Sequence, residues 1–314
     1  MTGRTAAATA VPAGRQTGVR AGRQSGVPAG RQTAVALDRA TEPGDPRVVV
    51  VRRAHDVSTL SARLIAEAID AAVRARGIAH LALTGGSTAG GVYRALSSSA
   101  MLEMTPWHRT HLWWGDDRFV PRGNHLSNVW LADTELFVGH HVGRGIPIPP
   151  ENIHPFPVDE ALATDAGNEA CAATLAREAA VRLPAGDHGY PVFDLVLLGI
   201  GGDGHLLSCF PGSAAFDTCD WALGIPKPSH IAPHVPRMTF NPAIVVAGRA
   251  VLAMANGEGK ASILGSLFRE DRDVRRRPAQ IAQRASATWV LDEDAAGLLP
   301  EDVLDMARGG GTGD

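Results

Sequence analysis

The sequence predicts an α/β fold: a single domain whose mostly parallel, doubly wound sheet carries helices on both faces. Three observations carry that expectation. From Arg47 onward, short β-branched runs alternate with helix-length amphipathic segments, as in parallel strands joined by crossovers. The chain has 314 residues and 45% hydrophobic content, enough for one large packed core. Three polar, glycine-bearing loops each follow a strand-like run, which is where open α/β sheets place their ligands.

The elements follow in chain order. Residues 48–51 read as the first strand. Residues 56–76 place Val57, Leu60, Leu64, Ile65, Ala68, Ile69 and Ala72 on one helical face, with Asp56 as N-cap and Gly77 as the stop. Residues 78–83 form a second strand, ending in Thr84-Gly85-Gly86-Ser87-Thr88, and a helix runs from there to about Leu96. Residues 111–114 are a third strand, closed by Gly115-Asp116-Asp117-Arg118, and residues 124–137 are expected to be helical. A proline-rich connector leads to a helix over 167–182, then to a strand over 192–198 and its glycine turn. Residues 243–254 are expected to supply two short strands around Gly248-Arg249, residues 258–268 a helix, and residues 288–291 a last strand.

Residues 1–44 differ from the rest. Near-copies of AGRQ(T/S)(G/A)V begin at Ala13, Ala21 and Ala29, and they hold too few large apolar groups to offset chain entropy. A disordered extension over 1–44 and a folded unit over 45–314 are expected. The net charge of -3 gives no concentrated basic face for nucleic acid or an anionic membrane, so a small metabolite is the expected partner. Cys171, Cys209 and Cys219 form no CxxC pair, and no apolar run reaches the roughly 18 residues of a spanning helix, so the cytoplasm is the expected location. A monomer or small homo-oligomer is expected.

The stretch LLGIGGDGH contains Gly199-x-Gly201-x-x-Gly204, the spacing of a dinucleotide turn. Such a turn needs a helix at its third glycine, and Pro211-Gly212 leave room for little of one, so no nicotinamide cofactor is expected. The loop does carry Asp203-x-His205, a carboxylate able to fix the tautomer of an imidazole that exchanges protons near neutral pH. Isolated histidines are mostly structural, His140-His141 among them. Cys209 is expected to be a buried small residue and not a nucleophile. Thr84 to Thr88 opens a helix with glycines and hydroxyls, which suits a phosphate. Its bland alternative is a plain helix cap. Arg118 could grip phosphate while one of Asp116 and Asp117 binds sugar hydroxyls; the bland alternative there is a surface ion pair. Histidine, aspartate and cysteine are not clustered at metal-ligand spacing, so no metal is expected.

Taken jointly, LALTGGST, WWGDDRFVP with NHLSN, FDLVLLGIGGDGHLLSCFPGS, and the later KP and RMTF resemble the 6-phosphogluconolactonases. These share a fold group with glucosamine-6-phosphate deaminases and ribose-5-phosphate isomerases. The run Ser208-Cys209-Phe210-Pro211-Gly212 resembles the lactonase branch and not the deaminase branch. Asp117, Gly202, Leu206 and Ala89-Gly90-Gly91 depart from the family pattern. The resemblance implies hydrolysis of 6-phospho-D-glucono-1,5-lactone without a cofactor. His205 would be the general base and Asp116 would orient the sugar or water, while amides of the 201–204 turn, with Gly201, Asp203 and Gly204, face the substrate. Gly85, Gly86, Ser87, Thr88 and Arg118 would hold the phosphate, helped by Arg237 and Lys260. The alternatives are a deaminase or isomerase on the same fold, or a non-catalytic sugar-phosphate sensor.

Overall fold

The computed structural model describes residues 44–138, 145–187 and 189–309. The expected extension, apart from Gly44, and the His140-His141 pair lie outside the described residues. The strands are β1 (Arg47–Val51), β2 (Ala79–Leu83), β3 (Thr110–Trp114), β4 (Asp116–Arg118), β5 (Ile153–His154), β6 (Leu195–Gly199), β7 (Ala222–Ile225), β8 (Arg237–Phe240), β9 (Val251–Ala255) and β10 (Ala287–Asp292). Seven of them form one sheet in the order β1-β10-β9-β6-β2-β3-β5, with every neighbouring pair parallel. The other three form a small antiparallel sheet, β4-β8-β7.

All five residues of β2 and all five of β9 are buried. Successive strand side chains point to opposite faces, so both faces of the central sheet are covered. The main covering helices are α1 (Ala54–Arg76), α2 (Ser87–Leu96), α3 (Asn168–Arg182) and α4 (Ala261–Arg269). Of the expected apolar face of α1, Val57, Ile65, Ile69 and Ala72 are buried and Leu60, Leu64 and Ala68 partly so, and Gly77 ends the helix in the left-handed region at φ 78°. Among the described residues, no helix is long and apolar enough to cross a membrane.

The chain moves outward from β2 through β3 to β5, then returns to β6 on the other side of β2 and moves outward through β9 to β10. The loops after β2 and β6 therefore part in opposite directions, leaving a crevice at the strand ends.

Several local expectations are corrected. The β-branched content of residues 243–247 (AIVVA) predicts strand, yet Ala243–Ala247 is a short helix, followed by β9. The Asn241 side chain accepts from the Ala243 N–H at 3.0 Å and starts that turn. The helix expected over 124–137 starts later, at Asn128–Ala132, where Ser127 Oγ accepts from the Val129 and Trp130 amides; it then widens to a π turn, Asp133–Phe137. The N-cap of α1 is Arg53, with Asp56 inside the first turn.

At one flank of the sheet, Trp113 donates to His80 Nδ1 (3.3 Å), and His111 Nδ1 lies 2.8 Å from His154 Nε2. Burial, and then the mutual repulsion of these rings, holds His80 and His111 down to about 4. The unfolded chain takes up protons near 6.5 while the folded one does not until about 4. This stability is therefore complete above 6.5 and is lost as pH falls through that window. The thermal midpoint is expected to drop between pH 6.5 and 4.5, and His80→Asn, which keeps an acceptor for Trp113, should flatten the slope. An unchanged slope would remove His80 from the account.

Candidate active site

The three glycine-bearing loops converge on one cavity of about 230 Å³ at the β2/β6 switch point. Its wall takes Gly85, Gly86, Ser87 and Thr88 from the loop after β2, Asp116 and Arg118 from β4, and Gly201 and His205 from the loop after β6. Arg237 of β8 and Lys260, just before α4, complete its charged lining. The expectation of one shared site at the strand ends holds in the structure.

The loop after β6 is a hydrogen-bonded turn. Gly204 N–H donates to Gly201 O (3.0 Å) and Gly201 N–H to His205 O (2.9 Å). No helix begins at Gly204, which removes the geometric basis for a dinucleotide. Instead His205 Nδ1 lies 2.5 Å from Asp203 Oδ1. A carboxylate only accepts, so Nδ1 carries a proton, and in the neutral ring Nε2 presents its lone pair. Burial would raise the Asp203 carboxyl, but bonds from His205 and His230 override it and hold the group well below the usual carboxylate range.

The imidazole packs directly over Gly201, where an added Cβ would come within 2.0 Å of His205 Nδ1. Gly201→Ala is therefore expected to push the ring off Asp203 and lower turnover by about 10- to 100-fold with the fold intact. Turnover and thermal midpoint measured together check this; full activity would mean that the ring tolerates displacement.

Alternation along β4 explains the acidic pair. Asp116 and Arg118 share the face toward the cavity, and Asp117 points the other way. Asp116 is fixed by Ser208 Oγ (2.5 Å), with Asn128 Nδ2 at 3.4 Å. Asp117 braces the next helix, accepting from Asn128 N–H (2.6 Å) and Ser127 Oγ (2.9 Å). Burial pushes Asp117 up to about 6, against the pull of those bonds. Its departure from the family pattern thus falls on a structural brace. Leu206 is likewise buried in the core, and Asp203 supplies the partner of His205.

In the β4/β8 ladder, Arg118 stands directly opposite Arg237. Like charges placed so destabilise a sheet unless an anion lies between them. Both Nε atoms are buried and have no partner among the described residues. Arg118 Nη1 donates to Leu126 O (2.6 Å), Arg237 lies over the Phe210 ring, and Lys260 Nζ donates to Ile200 O (2.7 Å). Burial lowers the basicity of both Arg237 and Lys260. At the same cavity, α2 opens without a side-chain cap, behind Gly86 at φ 96°, a conformation that favours glycine. Its first amides are left for a ligand. Three cations against one carboxylate line the cavity, a balance that suits a dianion.

Ten of the twelve residues expected at the site line the cavity; Asp203 and Gly204 do not. Asp203 bonds to the His205 ring from behind the cavity wall, and Gly204 closes the turn. Ser208 and Asn128, which bond to Asp116, and Ile231, on the cavity wall, add to the expected set. Asn128 and Ser208 lie inside quoted motifs, which was the available signal; Ile231 had none. Cys209 is fully buried, and burial pushes its thiol up to about 12, as an inert core residue requires.

Fold and site together define a doubly wound α/β protein with a histidine–carboxylate pair facing a cation-rich cavity at the sheet's switch point. Residues 52–291 match the family described as glucosamine-6-phosphate isomerases/6-phosphogluconolactonase, and the chain belongs to that family. It is 32% identical over 269 residues to a Streptomyces coelicolor protein named 6-phosphogluconolactonase, covering 83% of this chain and 98% of the relative. A Mycobacterium tuberculosis protein of the same name is 33% identical over 247 residues, 78% of this chain and 94% of that one. The structure of 6-phosphogluconolactonase from Trypanosoma brucei superposes with a TM-score of 0.70 at 26% identity, covering 82% of this chain and all of that one.

Proposed function

We propose that this protein hydrolyses 6-phospho-D-glucono-1,5-lactone to 6-phospho-D-gluconate, in the oxidative pentose phosphate pathway, with His205 as general base on water. The observation that carries the reading is the Asp203-His205 pair at a cavity walled by Arg118, Arg237 and Lys260. The relatives, aligned over nearly their whole lengths, support the same substrate.

A lactone is an activated ester, so a base, an oxyanion donor and a grip on the phosphate suffice, without metal or cofactor. His205 Nε2 takes a proton from water as its oxygen adds to the ring carbonyl. The resulting oxyanion needs a donor. In the 201–204 turn the Gly201 and Gly204 amides are already engaged; of the remaining two, Gly202 and Asp203, Gly202 lies on the cavity wall and its N–H takes that role. Collapse of the tetrahedral intermediate breaks the bond to the ring oxygen, and His205 returns the proton there. Asp116, held rigid by Ser208, orients a sugar hydroxyl. The phosphate sits between the α2 amides of Ser87 and Thr88 and the cations, where it also relieves the opposition of Arg118 and Arg237.

Residues 45–314 carry this activity, in the cytoplasm, as a monomer or small homo-oligomer. The test is product identity. With the lactone, 6-phosphogluconate should form faster than spontaneous ring opening. Ammonia or ketose from an amino-sugar or pentose phosphate would instead assign a deaminase or isomerase, and saturable binding with no turnover of either would assign a sensor.

A further inference from the structure

The carboxylate that orients His205 is held from both sides. Its Oδ1 accepts from His205 Nδ1–H and from the His205 backbone N–H, and its Oδ2 lies 2.8 Å from His230 Nε2. Since the carboxylate only accepts, His230 donates through Nε2. His230 lies on the segment between β7 and β8, next to Ile231, which lines the cavity. Phe210 packs against both rings, at 4.8 Å from His205 and edge-on at 5.5 Å from His230. No motif in the sequence points to His230.

We propose that His230 is a positioning residue for the reaction: its Nε2–H pins the second oxygen of Asp203, and through it fixes the tautomer and aim of the His205 imidazole. A carboxylate held at one oxygen alone turns about its last torsion, because such sp³–sp² torsions are broad. Held at both, it offers Oδ1 to Nδ1 in one orientation, and Nε2 keeps its lone pair toward the cavity. Carboxylates that orient metal-bound histidines from one step away are worth about 10- to 100-fold where they have been removed, and the same scale is expected for the orienter of a basic histidine. His230 is half exposed, so its bond sits at the low end.

The proposal rests on the lactone-hydrolysis reading for its kinetic test, and a second readout is independent of it. His230→Ala is expected to lower kcat about tenfold with KM changed by less than about twofold. His230→Gln, whose amide nitrogen reaches the same oxygen, should recover most of the loss. In ¹⁵N spectra of the imidazoles, His205 should be Nδ1-protonated in wild type and His230→Gln, and mixed in His230→Ala. A normal kcat and an unchanged His205 spectrum in His230→Ala would overturn the proposal, as would an equal loss in His230→Gln. If the wild type shows no lactone hydrolysis, the functional reading fails, and the His205 spectra still decide the positioning role.

Discussion

His205→Ala is expected to lower kcat for lactone hydrolysis by about two to four orders of magnitude, the range for loss of a general base, with a modest change in KM. The asymmetry between the two constants follows from the geometry. The imidazole does not belong to the cationic wall, so the ground-state grip on a phosphorylated sugar survives its removal. What disappears is the lone pair at Nε2 and the Asp203 contact that stabilises the imidazolium as it forms. The side chain is partly exposed, so its truncation leaves a space water can enter and not a dry void in the core. The thermal midpoint should stay close to that of wild type, which separates chemistry from folding. Near-normal turnover in a folded variant would reject His205 as the base.

Arg118→Ala is expected to act the other way, raising KM for the phosphorylated lactone by about 10- to 100-fold while kcat changes less, since a charge-assisted bond contributes about 1.5–3 kcal/mol. Arg237→Ala should behave alike, because the two face each other across β4 and β8 and the proposed reading has them grip one anion. The two losses should not add. Once one guanidinium is gone, the other no longer faces a like charge, and its own interaction with phosphate changes. Comparing the single and double variants by KM measures that coupling. A KM unchanged in Arg118→Ala would take it out of the phosphate site.

Much of this arrangement is legible in the residues. β2, β3, β6 and β10 announce themselves as apolar runs, and the polar loops that follow the first three are those that line the cavity. His205, Asp116 and the glycine-opened α2, all marked by motifs, stand together at the wall of that cavity. The small sheet is not legible in the same way. Asp116-Asp117-Arg118 is as polar as any loop, and only its pairing with Arg237–Phe240, far along the chain, makes it a strand. That pairing is why Arg118 and Arg237 are one device and not two separate candidates. Residues 243–247 misled for the converse reason: their β-branched content favours a strand, but the Asn241 side chain turns the backbone into a helix. His230 left no trace in any pattern, because its role exists only through the far oxygen of Asp203.

The most direct test compares two substrates in the unmodified protein. Initial rates of ring opening are measured for 6-phospho-D-glucono-1,5-lactone and for the same lactone without phosphate, each corrected for spontaneous hydrolysis. A cation-walled cavity that grips the phosphate while His205 activates water predicts catalysed opening of the first. Its kcat/KM should exceed that of the second by about 10³, the worth of two or three charge-assisted contacts. No acceleration of the phosphorylated lactone, or equal kcat/KM for both, would contradict it.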